Sequence, residues 1–321
     1  MSGHWYSPIQ EDLERVETVM RDTVRSDNPK LNEVCNYVLS VNGKRIRPAM
    51  CILSFKACGG NDPKKAIDVG TALEIIHNAT LVHDDINDQG DLRRGAKAAY
   101  KQFSISRSIV AGDYLFALGF RMIGSSSGEI VDYLVDASSA MCEGEFDQKD
   151  FERNIDVKES DYMKIIDGKT ARLIECAAKS GAFLANTNLE VIDAVGTFAY
   201  NVGIAFQIID DTLDIIGDER STGKNVGSDI MEGKPTLPMI YALQDRTHGA
   251  SIRKIFEMES PEWSDVNKAI ELIKKTDSIK RCVEKARGIV NEAMGLLDFL
   301  EDTPYKRSLM DLAQFIVERD R

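Results

Sequence analysis

An all-α fold is predicted for this chain of 321 residues by three observations. Apolar residues recur at helical spacing nearly throughout, strand-like alternation is scarce, and the eight prolines fall mostly at the edges of periodic segments. No internal repeat, low-complexity tract or linker rich in Pro, Gly or Ser divides the chain, so residues 1–321 read as one domain. With 43% hydrophobic and 29% charged residues, a large core and a polar surface can coexist.

The elements follow in order. Amphipathic helices are expected over 8–27 and 31–41, then one over 48–58 that stops at Gly59-Gly60. Asp62-Pro63 marks the next start, with aspartate as N-cap and proline as the first helical residue, and the pattern then runs unbroken to about Asp88. Further helices are expected near 104–123, 128–149, 159–184, 189–216, 235–246, 251–258, 262–275, 277–300 and 305–319. The most polar connection, GDERSTGKNVGSDIMEGK at 217–234, is rich in Gly and Lys and reads as a mobile functional loop.

Bulk properties remove several function classes. The formal net charge of -12 and a pI near 5.0 argue against a broad basic face for nucleic acid. The cysteines, Cys35, Cys51, Cys58, Cys142, Cys176 and Cys282, form no CxxC pair and read as buried free thiols of a reducing compartment. The start MSGHWYSPIQEDLE lacks a basic segment followed by an apolar run, so no signal peptide is expected. No stretch approaches the roughly 18 apolar residues of a membrane span. A soluble, cytoplasmic protein is expected, one that could still handle a greasy substrate.

Two acidic clusters carry the functional signal. In LVHDDINDQGDLRRG (81–95), four aspartates fall within eight positions and two arginines follow. At about 100° per residue, His77, Asp84 and Asp88 share one helix face, with Asp85 about a quarter turn away. Carboxylates one turn apart can bridge a hard cation, and Mg²⁺ prefers one or two of them plus phosphate oxygens and water. The pattern returns in FQIIDDTLD (206–214): Gln207, Asp211 and Asp214 follow i, i+4, i+7 spacing, and Asp210 pairs with Asp214. Charge embedded in so apolar a helix is costly unless compensated. A calcium loop starting at Asp85 fails, because its twelfth position is Ala96 and not Glu. A phosphate loop at Gly168-Lys169-Thr170 fails because Met163 stands where the first glycine belongs.

Basic residues answer the carboxylates in GKRIRP (43–48), DLRRG (91–95) and GKTARL (168–173), and as Lys224 and Lys234 in the long loop. Arginine forks and lysine point charges suit diphosphate oxygens, and there are enough for two diphosphate groups. With these motifs in this order from about residue 40 to 245, the sequence resembles the trans-isoprenyl diphosphate synthases, or polyprenyl synthetases. Departures are small: Asn87 replaces a usual apolar residue, and Val41-Asn42 precedes Gly43 where many members have a second glycine.

The resemblance implies a single helical domain around a central cavity, with the two aspartate motifs facing each other across its mouth. It implies isopentenyl diphosphate at Lys44, Arg47, His77 and Arg94, without metal. It implies an allylic diphosphate held by three Mg²⁺ ions and by Arg93, Lys169, Thr170, Gln207, Lys224 and Lys234. Asp84 and Asp88 would hold two ions and Asp210 the third. Asp85, Asp211 and Asp214 would orient water ligands and lysines behind them. The implied reaction is ionisation of the allylic diphosphate, attack by the isopentenyl double bond, and proton loss to the departing diphosphate. A homodimer is also implied. A terpene cyclase and a non-catalytic regulatory subunit are the rival readings. Asp210, Asp211, Asp214, Lys44 and Arg47 speak against the first, and the full set of motif aspartates and lysines against the second. For product length, the family closes its pocket with an aromatic four or five residues before the first motif aspartate. Those positions here are Thr80 and Ala79, with Ile76, Leu73 and Ala72 below them, none aromatic. A product of C20 or longer is expected unless Phe116 or Phe120 supplies the floor; the alternative is that Ala79 and Thr80 simply pack against a neighbouring helix.

Overall fold

Three helices precede the one that carries the first acidic motif: α1 (Gln10–Thr23), α2 (Pro29–Ser40) and α3 (Ile46–Ala57). The computed structural model describes residues 4–41, 43–217 and 226–319. α1 is shorter than the expected 8–27. Ser7–Ile9 forms a 3-10 turn before it. Beyond it, Asn28 turns extended to cap α2, its side chain accepting from the Lys30 and Leu31 N–H groups, so the first helix cannot continue through.

Helix α4 spans Lys64–Asn87. The Asp62 side chain accepts from the Lys64 N–H at 3.1 Å, and Pro63 is the cap residue, so the helix starts one residue later than expected. α4 is buried around most of its circumference because α1, α3 and α6 (Ile105–Ile123) pack on it. Between α4 and α6 the chain leaves the helical pattern. Leu92–Arg93 (β1) pairs antiparallel with Ala96–Lys97 (β2), and a short helix, α5 (Ala99–Gln102), follows. The connecting pair has positive φ at both residues, 50° at Arg94 and 80° at Gly95, as a two-residue hairpin turn requires.

The chain divides into two compact units. One takes the residues up to Val135 with Leu173–Ala199 and Leu296–Leu312; the other takes Asp136–Arg172, Tyr200–Gly295 and the residues from Ala313. α7 (Gly128–Asp150) and α10 (Leu189–Ile216) contribute residues to both. The core of the first unit gathers Met20, Val34, Cys35, Val38, Ile75, Ala79 and Leu115 from α1, α2, α4 and α6. That of the second gathers Ile215, Ile230, Phe256, Val266 and Ile270.

The expected helix 159–184 is interrupted. It resolves into α8 (Glu159–Ile166), a π turn at Asp167–Ala171 and α9 (Arg172–Leu184). A Cβ at Gly168 would lie 2.3 Å from the Ala140 carbonyl of α7, so only glycine permits this approach. Such π turns concentrate at functional sites, and this one carries Lys169 and Thr170. The later helices are Leu237–Leu243, Gly249–Phe256, Trp263–Ile273, Ser278–Gly295 and Pro304–Glu318. Within the loop expected at 217–234, Ser228–Glu232 is helical, and residues 218–225 lie outside the described residues.

Two sequence expectations need correction. α10 is long and apolar enough to cross a membrane by length and composition, with a mean hydropathy of 1.3 over its best window. However, 61% of that window is buried in the protein, where Phe198, Val202, Ala205 and Ile208 are core residues. The cysteines are free, but Cys142 is exposed on α7, whereas Cys35, Cys51, Cys176 and Cys282 are buried. Burial pushes the Cys35 thiol up to about 12.

Candidate active site

The first acidic motif ends α4. Asp84 and Asp88 lie one turn apart, the Asp88 N–H donating to the Asp84 carbonyl at 2.8 Å as Asp88 caps the helix. Carboxylates at a helix C-terminus are disfavoured by the helix dipole and need cations. Arg93 of β1 supplies one. Its Nε donates to Asp85 Oδ1 at 2.8 Å, and its Nη2 reaches the same oxygen. Burial works against the Arg93 charge, but Asp85 first, then Asp84 and Asp88, raise its pKa on balance. The partner the structure gives the buried Asp85 is therefore Arg93, not a lysine.

A cation pocket lies at the start of α3. Arg45, at φ 50°, caps that helix and is locked by Glu17 at 2.5 Å and by the buried Glu74 of α4 at 3.0 Å. The Cβ-less face of Gly43 accommodates the Arg94 guanidinium: an added Cβ would sit 2.5 Å from Arg94 Nη1 and 3.2 Å from Arg45 Nη1. Burial, with repulsion from Arg94, pulls Arg47 down to about 10 against the pull of Glu74. Its buried Nε has no hydrogen-bond partner among the described residues. Arg94 is also lowered, by burial first, with Arg93 and Arg45 adding and Glu74 opposing. The His77 imidazole is held well below its usual range by burial, then by Arg47, Arg94, Arg93 and Arg45, so it is neutral at pH 7. Lys44 is exposed at the rim. Positive charge thus crowds one buried carboxylate, and an unpartnered arginine donor marks where an anion is wanted. The sequence reading missed Arg45, Glu17 and Glu74. Arg45 stands between two assigned residues, and Glu74 precedes His77 by three on α4, but nothing in the sequence pairs them.

The product-length positions are mixed. Ala79 is fully buried in the core shared with α2 and α6, and Ile76 is buried against Gly119 of α6. Ala79 therefore follows the packing alternative. Thr80 is half-buried, its hydroxyl donating to the His77 carbonyl at 2.8 Å. Phe116 packs against the same core, whereas Phe120 is exposed.

The second acidic motif belongs to the other unit, on α10. A chain of hydrogen bonds runs through it: Thr170 Oγ1 to Gln207 Oε1, Gln207 Nε2 to Asp211 Oδ1, and Tyr162 Oη to Asp211 Oδ2, each at 2.7 Å. Burial first, then Asp229 and more weakly Asp210, push Asp211 up to about 8, while the bonds from Tyr162 and Gln207 oppose this. Lys169 donates to Gln148 at 3.0 Å and pairs with Glu145 on α7. Asp214 accepts from Ser228 Oγ at 2.9 Å and from the Asp229 N–H at 3.2 Å, so it caps the helix that leads to Lys234. Lys234 pairs with Glu232 at 2.5 Å, and Lys224 lies outside the described residues. Asp210 is the exposed carboxylate of the set, and Arg319 reaches its Oδ1 at 3.1 Å. Tyr162, Glu145, Gln148 and Arg319 went unread in the sequence, because each lies in a different segment from the residue it serves.

No group of three or more Asp, Glu, His or Cys side chains among the described residues forms a ready-made metal cage. Mg²⁺ does not require one, since substrate phosphate and water complete its shell. In the first unit the hard oxygen donors of Asp84 and Asp88, one turn apart, fit such an ion; in the second, the exposed Asp210 carboxylate by itself fits another.

An all-α chain with two acidic motifs, each accompanied by basic segments suited to diphosphate, is the isoprenoid synthase class. The family model for polyprenyl synthetase matches residues 28–273. An octaprenyl diphosphate synthase of Escherichia coli is 33% identical over 314 residues, 97% of either chain. A short chain isoprenyl diphosphate synthase of Methanothermobacter thermautotrophicus is 35% identical over 318 residues, 97% of this chain and 98% of that one. The crystal structure of a polyprenyl synthase from Caulobacter crescentus, complexed with calcium and isoprenyl diphosphate, superposes with a TM-score of 0.94 at 30% identity, over 99% and 97% of the two chains. The chain belongs to the polyprenyl synthetase family of trans-isoprenyl diphosphate synthases, and it is a trans-prenyltransferase.

Proposed function

We propose that the protein condenses isopentenyl diphosphate with an allylic diphosphate to an all-trans polyprenyl diphosphate of C20 or longer. The observation that carries this is the cation pocket, where Arg47 and Arg94 share one buried glutamate, His77 is held neutral by burial and those arginines, and the Arg47 Nε lacks a partner among the described residues. A diphosphate supplies the missing acceptors there. Lys44, Arg47, His77 and Arg94 bind isopentenyl diphosphate in this reading. Arg45, neutralised by Glu17 and Glu74, buttresses the pocket.

The allylic diphosphate is assigned to Arg93, Lys169, Thr170, Gln207, Lys224 and Lys234. Asp84, Asp88 and Asp210 are assigned to three Mg²⁺ ions. When bound, magnesium supplies the positive charge that stabilises the leaving diphosphate. Asp85 keeps Arg93 oriented, Glu145 and Gln148 hold the Lys169 ammonium, and the Thr170–Gln207–Asp211–Tyr162 chain fixes the Gln207 amide. Asp214 ties the segment bearing Lys234 to α10. The isopentenyl double bond attacks the allylic cation, and the proton lost goes to the released diphosphate. Relatives of similar identity carry names of different product length, so chain length is assigned to the small, half-buried Thr80, Ala79 being enclosed in the core.

Residues 1–321 act as one polyprenyl synthetase domain in this reading, since the family model draws on both compact units. We also propose a cytoplasmic homodimer; the free cysteines fit a reducing compartment, and exposed Ile105, Ile109 and Val110 on α6 are apolar surface for a second copy to cover. The test is incubation with Mg²⁺, labelled isopentenyl diphosphate and an allylic primer, with products separated by chromatography. Elongated prenyl diphosphates are expected; cyclic hydrocarbon or no product would refute the reading.

A further inference from the structure

Arg319 stands near the end of the chain, far in sequence from any motif, yet its guanidinium lies on the second acidic motif. Its Nη2 donates to Asp210 Oδ1 at 3.1 Å and to the Phe206 carbonyl at 3.3 Å. The guanidinium carbon sits 4.4 Å from the centre of the Phe206 ring. The Arg319 side chain is 3% exposed, whereas that of Asp210 is 56% exposed. The guanidinium is therefore seated on ring and backbone, and the carboxylate comes to it from the solvent side. Its buried Nε has no hydrogen-bond partner among the described residues, so within them this seat leaves a donor unsatisfied while delivering charge to Asp210. A C-terminal clasp alone would not need that charge.

We propose that Arg319 is a resident counter-cation for Asp210 that makes loading of a divalent ion at this carboxylate conditional on a diphosphate. This rests on the reading of Asp210 as a metal ligand. A fixed guanidinium bonded to a carboxylate repels a second cation arriving at the same group. That repulsion outweighs the small gain from holding one short side chain in a single rotamer. A diphosphate reverses the balance, because its own charge offsets both cations and its oxygens complete the ion's shell. The motif is thereby kept from trapping free metal and loads the ion together with its substrate. Arg319 is a positioning residue, acting through Asp210.

The test is a titration of the full-length protein with Mn²⁺, followed by the spin resonance of the free ion, with and without inorganic pyrophosphate. The Mn²⁺–pyrophosphate equilibrium is measured separately and subtracted. Arg319→Gln should tighten pyrophosphate-free Mn²⁺ binding at least fivefold while changing the affinity with pyrophosphate less than twofold. Arg319→Lys, which keeps the charge, should behave as the wild type, and the gain should vanish in Arg319→Gln/Asp210→Asn. If Arg319→Gln does not fold, Arg319→Met keeps an apolar stem on Phe206 and tests the same charge. Unchanged or weaker pyrophosphate-free binding in the neutral variant overturns the proposal. If Asp210→Asn alters Mn²⁺ binding but the neutral variant does not, only this proposal falls. If Asp210→Asn alters nothing under either condition, the assignment of Asp210 falls and takes the proposal with it.

Discussion

Gly43→Ala separates substrate binding from folding at a single atom. The new Cβ would lie 2.5 Å from Arg94 Nη1 and 3.0 Å from its Cζ. Carbon and nitrogen need about 3.5 Å, so the guanidinium must withdraw by roughly 1 Å. The obstacle is the far end of a flexible side chain, so the fold can absorb the methyl. Alanine in place of glycine also restricts the unfolded chain, worth about 0.4–1 kcal/mol toward stability where the backbone tolerates it. The charge-assisted bonds from Arg94 to a phosphate do not survive such a shift. Losing one costs about 1.5–3 kcal/mol, which corresponds to roughly 10- to 150-fold in affinity. Steady-state kinetics should therefore show the KM for isopentenyl diphosphate raised at least about tenfold. The KM for the allylic primer should stay within about twofold and the melting temperature within about 2 °C. An unchanged KM for isopentenyl diphosphate would refute the placement of Arg94 in that site. A large fall in melting temperature would instead make Gly43 a packing residue.

Asp84→Ala and Asp210→Ala should each lower turnover at least about a hundredfold in the chromatographic assay, because each removes a ligand supporting transition-state charge; near-normal turnover of both would sink the metal assignment. Thr80→Phe should shorten the main product by at least one isoprene unit while leaving the first condensation active, read from the product distribution; Thr80 is the better site because Ala79, fully buried, would be overpacked by an aromatic ring. His77 has a folded pKa well below its unfolded value near 6.5, so below that pH the unfolded chain takes up a proton that the folded pocket refuses. Melting temperature should consequently fall as pH drops from about 6.5 toward 5, and His77→Gln should flatten that fall; an identical slope in the variant would mean that His77 is not held neutral by burial and its arginines. Lys234→Ala should act on the allylic substrate and Arg47→Ala on isopentenyl diphosphate, and equal effects of both variants on both KM values would overturn the division of the two sites.

What the sequence determined by itself was whatever is written locally. Helical periodicity marked α4, α6 and α10 nearly to their ends, because a 3.6-residue repeat depends on neighbours in the chain. The aspartates one turn apart and the short basic segments were legible for the same reason, since a ligand set built from i and i+4 is a property of one helix. Tertiary structure decided everything that joins distant segments. The seat of Arg94 depends on a hairpin turn meeting the bare face of Gly43, some fifty residues away. The partner of Asp85 proved to be Arg93 because the hairpin folds back on the end of α4. Ala79, a candidate gate by position alone, turned into the core because the rotation of α4 is set by α2 and α6. The continuous helix expected over 159–184 is interrupted by a π turn whose Gly168 lies too close to α7 for any side chain, an approach made by a distant segment. Arg319 reached Asp210 across more than a hundred residues, a pairing that no local pattern encodes, since it depends on where the last helix comes to rest against Phe206.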